Sequence, residues 1–259
     1  MPKKTLLTLA CAVAAAAGTA LTVAAPASAA PATTRVILTP GQSLGGVSLA
    51  PMYSRMADDL TARGYPTTVV DVMGTDLRHD ATVIGDAVDK VHREHPHDKI
   101  ALVAHSVSGI SARWYLKEQG GHDKVATYVA IGTAQYGSPA SCTADIAKEN
   151  CPNTPFINTL NAGDDTPGDT AYYGIRSTRE FADGHLDGGQ CRVTPIPELK
   201  PVPADYQHTV EPLNADVWDA VAASLAGKCE GKFVDDPDGV LTGRGSMLPD
   251  APYYREYRG

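Results

Sequence analysis

Short apolar runs alternate with stretches of helical periodicity along most of the chain. The apolar runs predict strands at residues 35–38, 67–72, 100–104, 125–131 and 171–175. The intervening segments predict helices at residues 53–63, 81–94 and 111–117, and a last helix is predicted at 215–225. Apolar strands separated by helices indicate a mostly parallel central sheet with helices on both faces. We therefore expect an α/β fold.

Two long segments interrupt this alternation. Residues 132–170 and 183–207 are rich in small, polar and turn-forming residues and are predicted to be loops. Connections of this length are usually functional, because compact domains otherwise use short ones. From residue 230 onwards the chain is again rich in Gly, Pro and Asp, and we expect residues 230–259 to form a C-terminal tail.

The amino-terminal segment has the pattern of a secretory signal peptide. Lys3 and Lys4 precede an apolar stretch, and Ala27-Ser28-Ala29 has the small-x-small form of a cleavage site. We expect cleavage after Ala29, so that residues 1–29 are the signal peptide and residues 30–229 form the folded domain. The protein should then be secreted and have no stable membrane anchor.

The net charge limits the possible partners, and the cysteine content predicts disulfides. The chain has a net charge of −8, which becomes −10 once Lys3 and Lys4 leave with the leader, so nucleic acid is not an expected partner.

Four cysteines remain after the leader, and an even number in an exported chain indicates disulfides with three possible pairings. We favour Cys142 with Cys151 and Cys191 with Cys229. Their spacings do not match those of zinc sites.

The segment from Lys99 to Gly109, KIALVAHSVSG, predicts a strand, a sharp turn and a helix with Ser106 at the apex. A hydroxyl at this position lies at the N-terminus of a helix, where backbone N–H groups can stabilise negative charge on an attacked carbonyl. The general pattern of such an elbow is Gly-x-Ser-x-Gly, and here Ala104 and Ser108 occupy the flanks. Ser106 is therefore a candidate nucleophile; a simple N-cap is the alternative.

A serine nucleophile needs a histidine base and a carboxylate that orients the base. In folds that use such an elbow, the acid and then the histidine follow the serine along the chain. His208 follows the predicted strands and precedes the last helix, so it is the expected base, with His185 as the fallback. The acid should follow the strand at 171–175, where Glu180 and Asp183 are both candidates.

Two backbone amides are expected to form the oxyanion hole. One belongs to Val107, directly after the nucleophile, and the other to Gln42, in the loop after the first strand. Gly41 would allow that loop a turn with unusual dihedrals. The loop lacks the Gly-x-Gly-x-x-Gly and Gly-Lys-Ser/Thr patterns of phosphate binding, so no nucleotide is expected. We expect no cofactor and no metal.

Residues 35–225 resemble the small secreted bacterial lipases of the α/β-hydrolase superfamily (lipase class 2 and related actinobacterial triacylglycerol lipases). The resemblance is strongest at Val103-Ala104-His105-Ser106, because these lipases often carry Ala where others have Gly. The family has a Ser-x-x-Asp motif whose Asp is the catalytic acid. This motif matches Ser177-Thr178-Arg179-Glu180, so the resemblance assigns the acid to Glu180 and the histidine to His208.

Three departures from the family mark this chain as a divergent member. The oxyanion loop begins with Pro40-Gly41 where the family has His-Gly, Ser108 stands where Gly is usual, and Glu180 replaces Asp. The resemblance implies an α/β-hydrolase fold and a secreted serine esterase or lipase that acts through an acyl-enzyme. We expect a lipid-like ester as substrate, because residues 42–52 and 132–156 carry almost no Lys or Arg, and we expect a monomer. Alternatives are an acyltransferase, a cutinase or a polyester hydrolase on the same fold, or a secreted binding protein that has lost catalysis.

Overall fold

Seven strands form a single sheet in the computed structural model, which describes residues 32–143, 147–177, 186–196 and 207–238. The strands are β1 (Thr34–Thr39), β2 (Thr67–Val69), β3 (Lys99–His105), β4 (Thr127–Ile131), β5 (Ala171–Ser177), β6 (Gln190–Ile196) and β7 (Lys232–Val234). Their order across the sheet is β2-β1-β3-β4-β5-β6-β7. The pairs from β2 to β6 are parallel, and β7 is antiparallel to β6. The mostly parallel sheet predicted from the sequence is confirmed.

Helices cover both faces of this sheet, also as predicted. They are α1 (Ser54–Ala62), α2 (Leu77–Glu94), α3 (Val107–Glu118), α4 (Pro155–Leu160), α5 (Gln207–Val210) and α6 (Ala215–Leu225). Side chains alternate between the two faces along each strand, because successive residues of a strand point in opposite directions. Thus Val36 and Leu38 pack with α1 and α6, whereas Ile37 packs with α2 and α3.

The centre of the sheet carries the candidate site. β1 and β3 are neighbours in register, with Thr39 beside Ala104. Since the two strands are parallel, the loop after Thr39 and the turn after His105 leave the sheet at the same edge, side by side. Reactive groups in parallel sheets are generally found at this carboxyl edge.

Three elements lie in segments that the sequence predicted as loop or tail. α4 begins within the first long segment, β6 lies in the second, and β7 lies in the predicted C-terminal tail. β6 has no apolar run and contains Pro195, so local sequence does not indicate a strand. Its formation depends on pairing with β5 on one side and β7 on the other.

Two disulfides are present, and they have the pairing that the sequence analysis favoured. Cys142 is bonded to Cys151 within the long segment after β4, and Cys191 of β6 is bonded to Cys229 after α6. Of the helices that the structure describes, none combines the length and the apolar character needed to cross a bilayer. The predicted signal peptide, residues 1–29, lies outside the described residues.

Candidate active site

Ser106 forms a sharp junction between β3 and α3. Its φ is 60° and its ψ is −135°, and α3 begins at the next residue. A residue with a Cβ rarely adopts this backbone conformation, so hydrogen bonds must hold it. The Ser106 N–H donates to the Ile131 carbonyl of β4 at 2.8 Å, and the Gly109 N–H donates to the Ser106 carbonyl at 3.1 Å.

Ser108 explains how the elbow dispenses with one of its usual glycines. Its side chain is fully buried, and its Oγ lies 2.9 Å from Thr39 Oγ1 and 2.9 Å from the His105 carbonyl oxygen. Glycine at this position usually allows close contact with neighbouring backbone. The Ser108 hydroxyl instead forms hydrogen bonds to β1 and to the turn. A serine at this position joins the first turn of α3 to the end of β1.

The structure brings His208 to Ser106, although 102 residues separate them. His208 lies in α5, and its Nε2 is 2.8 Å from Ser106 Oγ. This is hydrogen-bond distance and the arrangement through which an imidazole accepts a proton from a serine hydroxyl. The fallback base, His185, lies outside the described residues.

The predicted acid, Glu180, and its competitor Asp183 both lie outside the described residues. Another carboxylate lies close to the histidine instead. Glu211 has an exposed fraction of 0%, and its Oε2 is 3.9 Å from His208 Nδ1 and 3.7 Å from His105 Nε2. Both distances are too long for a hydrogen bond, and the carboxylate would attract either imidazole strongly once that ring is protonated. Sequence reasoning missed Glu211; its spacing of three from His208 on one helical segment was the available signal.

Gly41 approaches the candidate nucleophile closely. A Cβ on Gly41 would lie 3.1 Å from Ser106 Cβ and 3.1 Å from His105 Nδ1. Gly41 does not have a positive φ, so the expectation that it supplies unusual dihedrals is wrong. The position needs glycine because there is little room for a side chain between the loop and the elbow.

The two predicted oxyanion residues, Gln42 and Val107, both lie close to Gly74. A Cβ on Gly74 would be 2.8 Å from Gln42 Cα and 2.7 Å from Val107 Cγ1. The Gln42 loop is also tied to this segment, because the Ser43 N–H donates to the Met73 carbonyl at 2.9 Å. The structure therefore brings both residues together beside Ser106.

Asp80 of α2 holds the Gly74 segment. Its carboxylate accepts the N–H of Gly74 at 2.7 Å and that of Met73 at 3.3 Å. Burial raises the pKa of Asp80, and these two hydrogen bonds partly oppose the rise. The sequence analysis did not identify this support, because nothing local links Asp80 to a loop that precedes its helix.

Candidate metal ligands among the described residues converge at this same place. One ligand atom each from His105, His208 and Glu211 lies within 4.8 Å of the others. However, His105 Nε2 lies 3.0 Å from the His208 carbonyl oxygen and His208 Nε2 faces Ser106 Oγ. Hydrogen bonding accounts for both imidazoles, so the cluster fits proton transfer better than metal binding.

Apolar side chains are exposed next to the site. Leu44 and Val47 are each 66% exposed and flank a two-residue turn, Gly45-Gly46, in the loop that carries Gln42. Beyond this loop lies a cavity of about 320 Å³, lined by Pro51, Met52, Ser54, Arg55 and Leu213. By contrast, Tyr136 and Phe156, in the first long segment (residues 132–170), are buried.

Comparison with known proteins supports the fold. No protein-family model matches the chain, and no curated protein matches it. Among solved structures, the mature form of Bacillus licheniformis lipase BlEst2 has a TM-score of 0.50 and 16% identity, covering 86% of this chain and 82% of that chain. The lin2722 gene product of Listeria innocua has a TM-score of 0.52 and 14% identity, covering 80% of this chain and 99% of that chain.

Several other matching structures are larger than this chain. Aspergillus fumigatus lipase B has a TM-score of 0.46 and 17% identity over 56% of this chain. The chain spans 37% of the length of that lipase and between 38% and 53% of the length of several other matching lipases and esterases. Identities at this level bear on architecture and not on activity. With the sheet order and the elbow, the two similarities above show that the chain has the α/β-hydrolase fold.

Proposed function

We propose that this protein is an exported serine hydrolase that cleaves neutral, lipid-like carboxylic esters. The main support is the distance of 2.8 Å between His208 Nε2 and Ser106 Oγ, at an elbow whose backbone is strained. A strained serine beside an imidazole is an arrangement that nucleophilic catalysis needs and that a simple N-cap does not.

In the proposed reaction, Ser106 Oγ attacks the ester carbonyl while His208 Nε2 takes its proton. The amides of Gln42 and Val107 stabilise the oxyanion that forms. His208 then gives the proton to the leaving alcohol, and an acyl-enzyme remains. Water, activated by His208, attacks the acyl group and restores the serine. The reaction needs no cofactor.

We propose Glu180 as the acid that orients His208, because it follows β5 directly and matches the acid position of the family motif. The carboxyl group of Glu211 lies 3.9 Å from His208 Nδ1 and, when ionised, would supply a second negative charge. Both carboxylates would favour the imidazolium that forms during the reaction.

Reaction with a fluorophosphonate tests the nucleophile, since this probe labels only activated serines. We expect the wild type to be labelled once per chain and to hydrolyse nitrophenyl esters. Ser106→Ala should remain folded, should not be labelled and should lose about 10³-fold or more in kcat. Labelling of Ser106→Ala, or equal turnover in both proteins, would contradict the proposal.

Replacing each candidate carboxylate by the corresponding amide tests which one orients His208. Glu180→Gln should lower kcat far more than Asp183→Asn, because only the former removes the proposed partner of His208. Glu211→Gln should lower kcat by about tenfold through the loss of a nearby buried charge. If Asp183→Asn had the largest effect, the acid would be Asp183.

The preference for a neutral acyl group rests on the loop that carries Gln42. Residues 42–52 contain no Lys or Arg, and Leu44 and Val47 expose apolar surface there. Rates on nitrophenyl esters of two to sixteen carbons should therefore exceed rates on anionic esters of similar size. Preference for an anionic ester would contradict a lipid-like substrate.

Export is proposed from the leader and is supported by the two disulfides. Protein collected from the medium of an expressing host should begin near Ala30, be monomeric by light scattering and contain no titratable thiol under denaturing conditions. Intact leader residues on exported protein would contradict the cleavage site, and free thiols would contradict the disulfides.

A further inference from the structure

His105 is a buried histidine that the proposed reaction does not use. It immediately precedes Ser106 and is only 4% exposed. Its Nδ1 lies 2.6 Å from Tyr53 Oη, and its Nε2 lies 3.0 Å from the carbonyl oxygen of His208. Tyr53 Oη in turn accepts the N–H of Gly41 at 2.8 Å. A continuous set of hydrogen bonds thus joins the loop of Gly41 to the segment of His208.

The acceptors in this network define where the protons lie. The His208 carbonyl can only accept, so the Nε2 of His105 must carry a hydrogen. Burial and the neighbouring His208 hold the pKa of His105 well below its usual range, so the ring is neutral and its Nδ1 carries no hydrogen. Nδ1 therefore accepts the hydroxyl hydrogen of Tyr53, whose oxygen accepts from Gly41.

The chemistry of Tyr53 agrees with this direction. Its side chain is 1% exposed, and burial raises its pKa well above the ordinary value, with the carboxylate of Glu211 adding to the rise. Tyr53 thus keeps its hydroxyl hydrogen at neutral pH. Glu211 Oε2, 3.7 Å from His105 Nε2, also favours a hydrogen on that side of the ring.

We propose that His105, held as the neutral Nε2–H tautomer by Tyr53, is a positioning residue that fixes both the loop of Gly41 and Gln42 and the segment of His208 relative to Ser106. The proposal rests on the proposed function. A rotated or protonated His105 ring would release one of the two segments, or would bring a positive charge next to the imidazole that must accept a proton.

The tautomer can be measured without any activity. Nitrogen NMR of protein labelled with ¹⁵N-histidine should show, for His105, a protonated Nε2 and an unprotonated Nδ1 from pH 8 to pH 5. The groups that face the ring and titrate nearby are Tyr53, His208 and Glu211, so Glu211→Gln helps to assign the signals. A hydrogen on Nδ1 at pH 7, in either a neutral or a charged ring, would overturn the proposal.

Tyr53→Phe tests the consequence for the reaction, because it removes the hydroxyl and keeps the buried ring. The matched control is Tyr172→Phe, which removes a buried hydroxyl that donates to the Pro167 carbonyl at 3.0 Å. We expect Tyr53→Phe to lower kcat about tenfold or more with KM within about twofold, because small displacements of reacting groups slow chemistry. Tyr172→Phe should change kcat by less than about twofold.

The outcomes separate the two proposals. Equal kcat values for Tyr53→Phe and Tyr172→Phe, with similar losses of thermal stability, would reduce Tyr53 and His105 to structural roles and overturn the inference. If the wild type hydrolysed no ester, the proposed function would fail, while the NMR result would still report on the hydrogen-bond network. Activity in the wild type together with an Nδ1–H tautomer would overturn only the role of His105.

Discussion

Ser106 occupies a backbone conformation that favours glycine over every other residue. At φ 60° and ψ −135°, its Cβ crowds the backbone at a cost on the order of 1–3 kcal/mol. The hydrogen bond to Ile131 and the start of α3 hold it there. Strain at a residue whose side chain points at an imidazole suggests that function, and not stability, determines the residue type.

Two substitutions measure this strain. Ser106→Gly removes the Cβ, whereas Ser106→Ala keeps it, and both remove the hydroxyl. We expect Ser106→Gly to unfold at higher denaturant concentration than Ser106→Ala, by about 1 kcal/mol in the free energy of unfolding. Neither variant should hydrolyse esters. Greater stability of the alanine variant would mean that the elbow is not strained in solution.

At the scale of single residues, the sequence predicted the positions whose signals are local. Ser106 follows an apolar run and precedes a helix, and His208 precedes the last helix in the expected chain order. Tyr53 carries no local signal and Glu211 carries only its spacing of three from His208, because their importance depends on how α5, the loop after β1 and the elbow pack together. Ordinary core positions and these two residues look alike in the sequence.

The loop between β2 and α2 supports the site as an element. Gly74, with φ +67°, lies close to Gln42 and Val107, and its N–H donates to Asp80 in the first turn of α2. The loop therefore packs against both residues whose amides are the proposed oxyanion donors. A change in this loop should therefore have a larger effect on kcat than on the free energy of unfolding.

Gly74→Ala tests the support, and Gly120→Ala is its control. Gly120 has a similar φ of +71°, but a Cβ there would meet no atom within 4 Å. Both variants should lose about 1 kcal/mol of stability from the left-handed conformation, and Gly74→Ala should lose more because its Cβ would clash with Gln42 Cα and Val107 Cγ1. Only Gly74→Ala should also lower kcat, by about tenfold or more. Equal kcat values in steady-state assays would show that the Gly74 loop does not position the donors.

The elements that sequence reasoning missed are those whose formation depends on neighbours. β6 and β7 have weak or very short strand patterns and form by pairing at the edge of an existing sheet. α4 has six residues in a segment rich in turn formers, although Pro155 and the capping side chain of Thr154 were available as start signals. The amphipathic helices α1, α2 and α6 were predicted from the periodicity of their own apolar residues.

Across the whole molecule, the two disulfides close loops of different length. Cys191 and Cys229 are 38 residues apart, whereas Cys142 and Cys151 are 9 apart. Longer loops lose more freedom in the unfolded chain when they are closed, so the two bonds should contribute about 4 and about 3 kcal/mol, respectively. The longer one also joins β6 to the segment after α6.

Paired serine variants measure this difference. Cys191→Ser with Cys229→Ser should lower the free energy of unfolding by about 1 kcal/mol more than Cys142→Ser with Cys151→Ser, by denaturant titration. Both double variants should still hydrolyse esters, because neither bond contacts Ser106 or His208. A larger loss from the shorter bond would show that native contacts, and not loop length, determine the contribution.

The stability of the folded protein should also depend on pH through His105. Its pKa is lowered in the fold, whereas in the unfolded chain it takes its ordinary value of 6.5. Below that pH the unfolded chain binds a proton that the folded protein does not, so stability falls as pH drops, by at most about 1.4 kcal/mol per pH unit.

Unfolding of the wild type and of His105→Gln between pH 8 and pH 5 checks this linkage. Glutamine cannot take up a proton, so the variant should lose stability less steeply below pH 6.5. The raised pKa of Asp80 acts in the opposite sense at lower pH, and it is common to both proteins. Parallel curves would show that His105 is not neutral in the fold.

The two outer strands of the sheet have a further consequence. Within the described residues, β2 and β7 each have only three residues, while the five strands between them have five to seven. A second molecule that paired with β2 or β7 would form few backbone hydrogen bonds. The short outer strands thus limit edge-to-edge association at high concentration, and β3, which leads to Ser106, lies in the interior of the sheet.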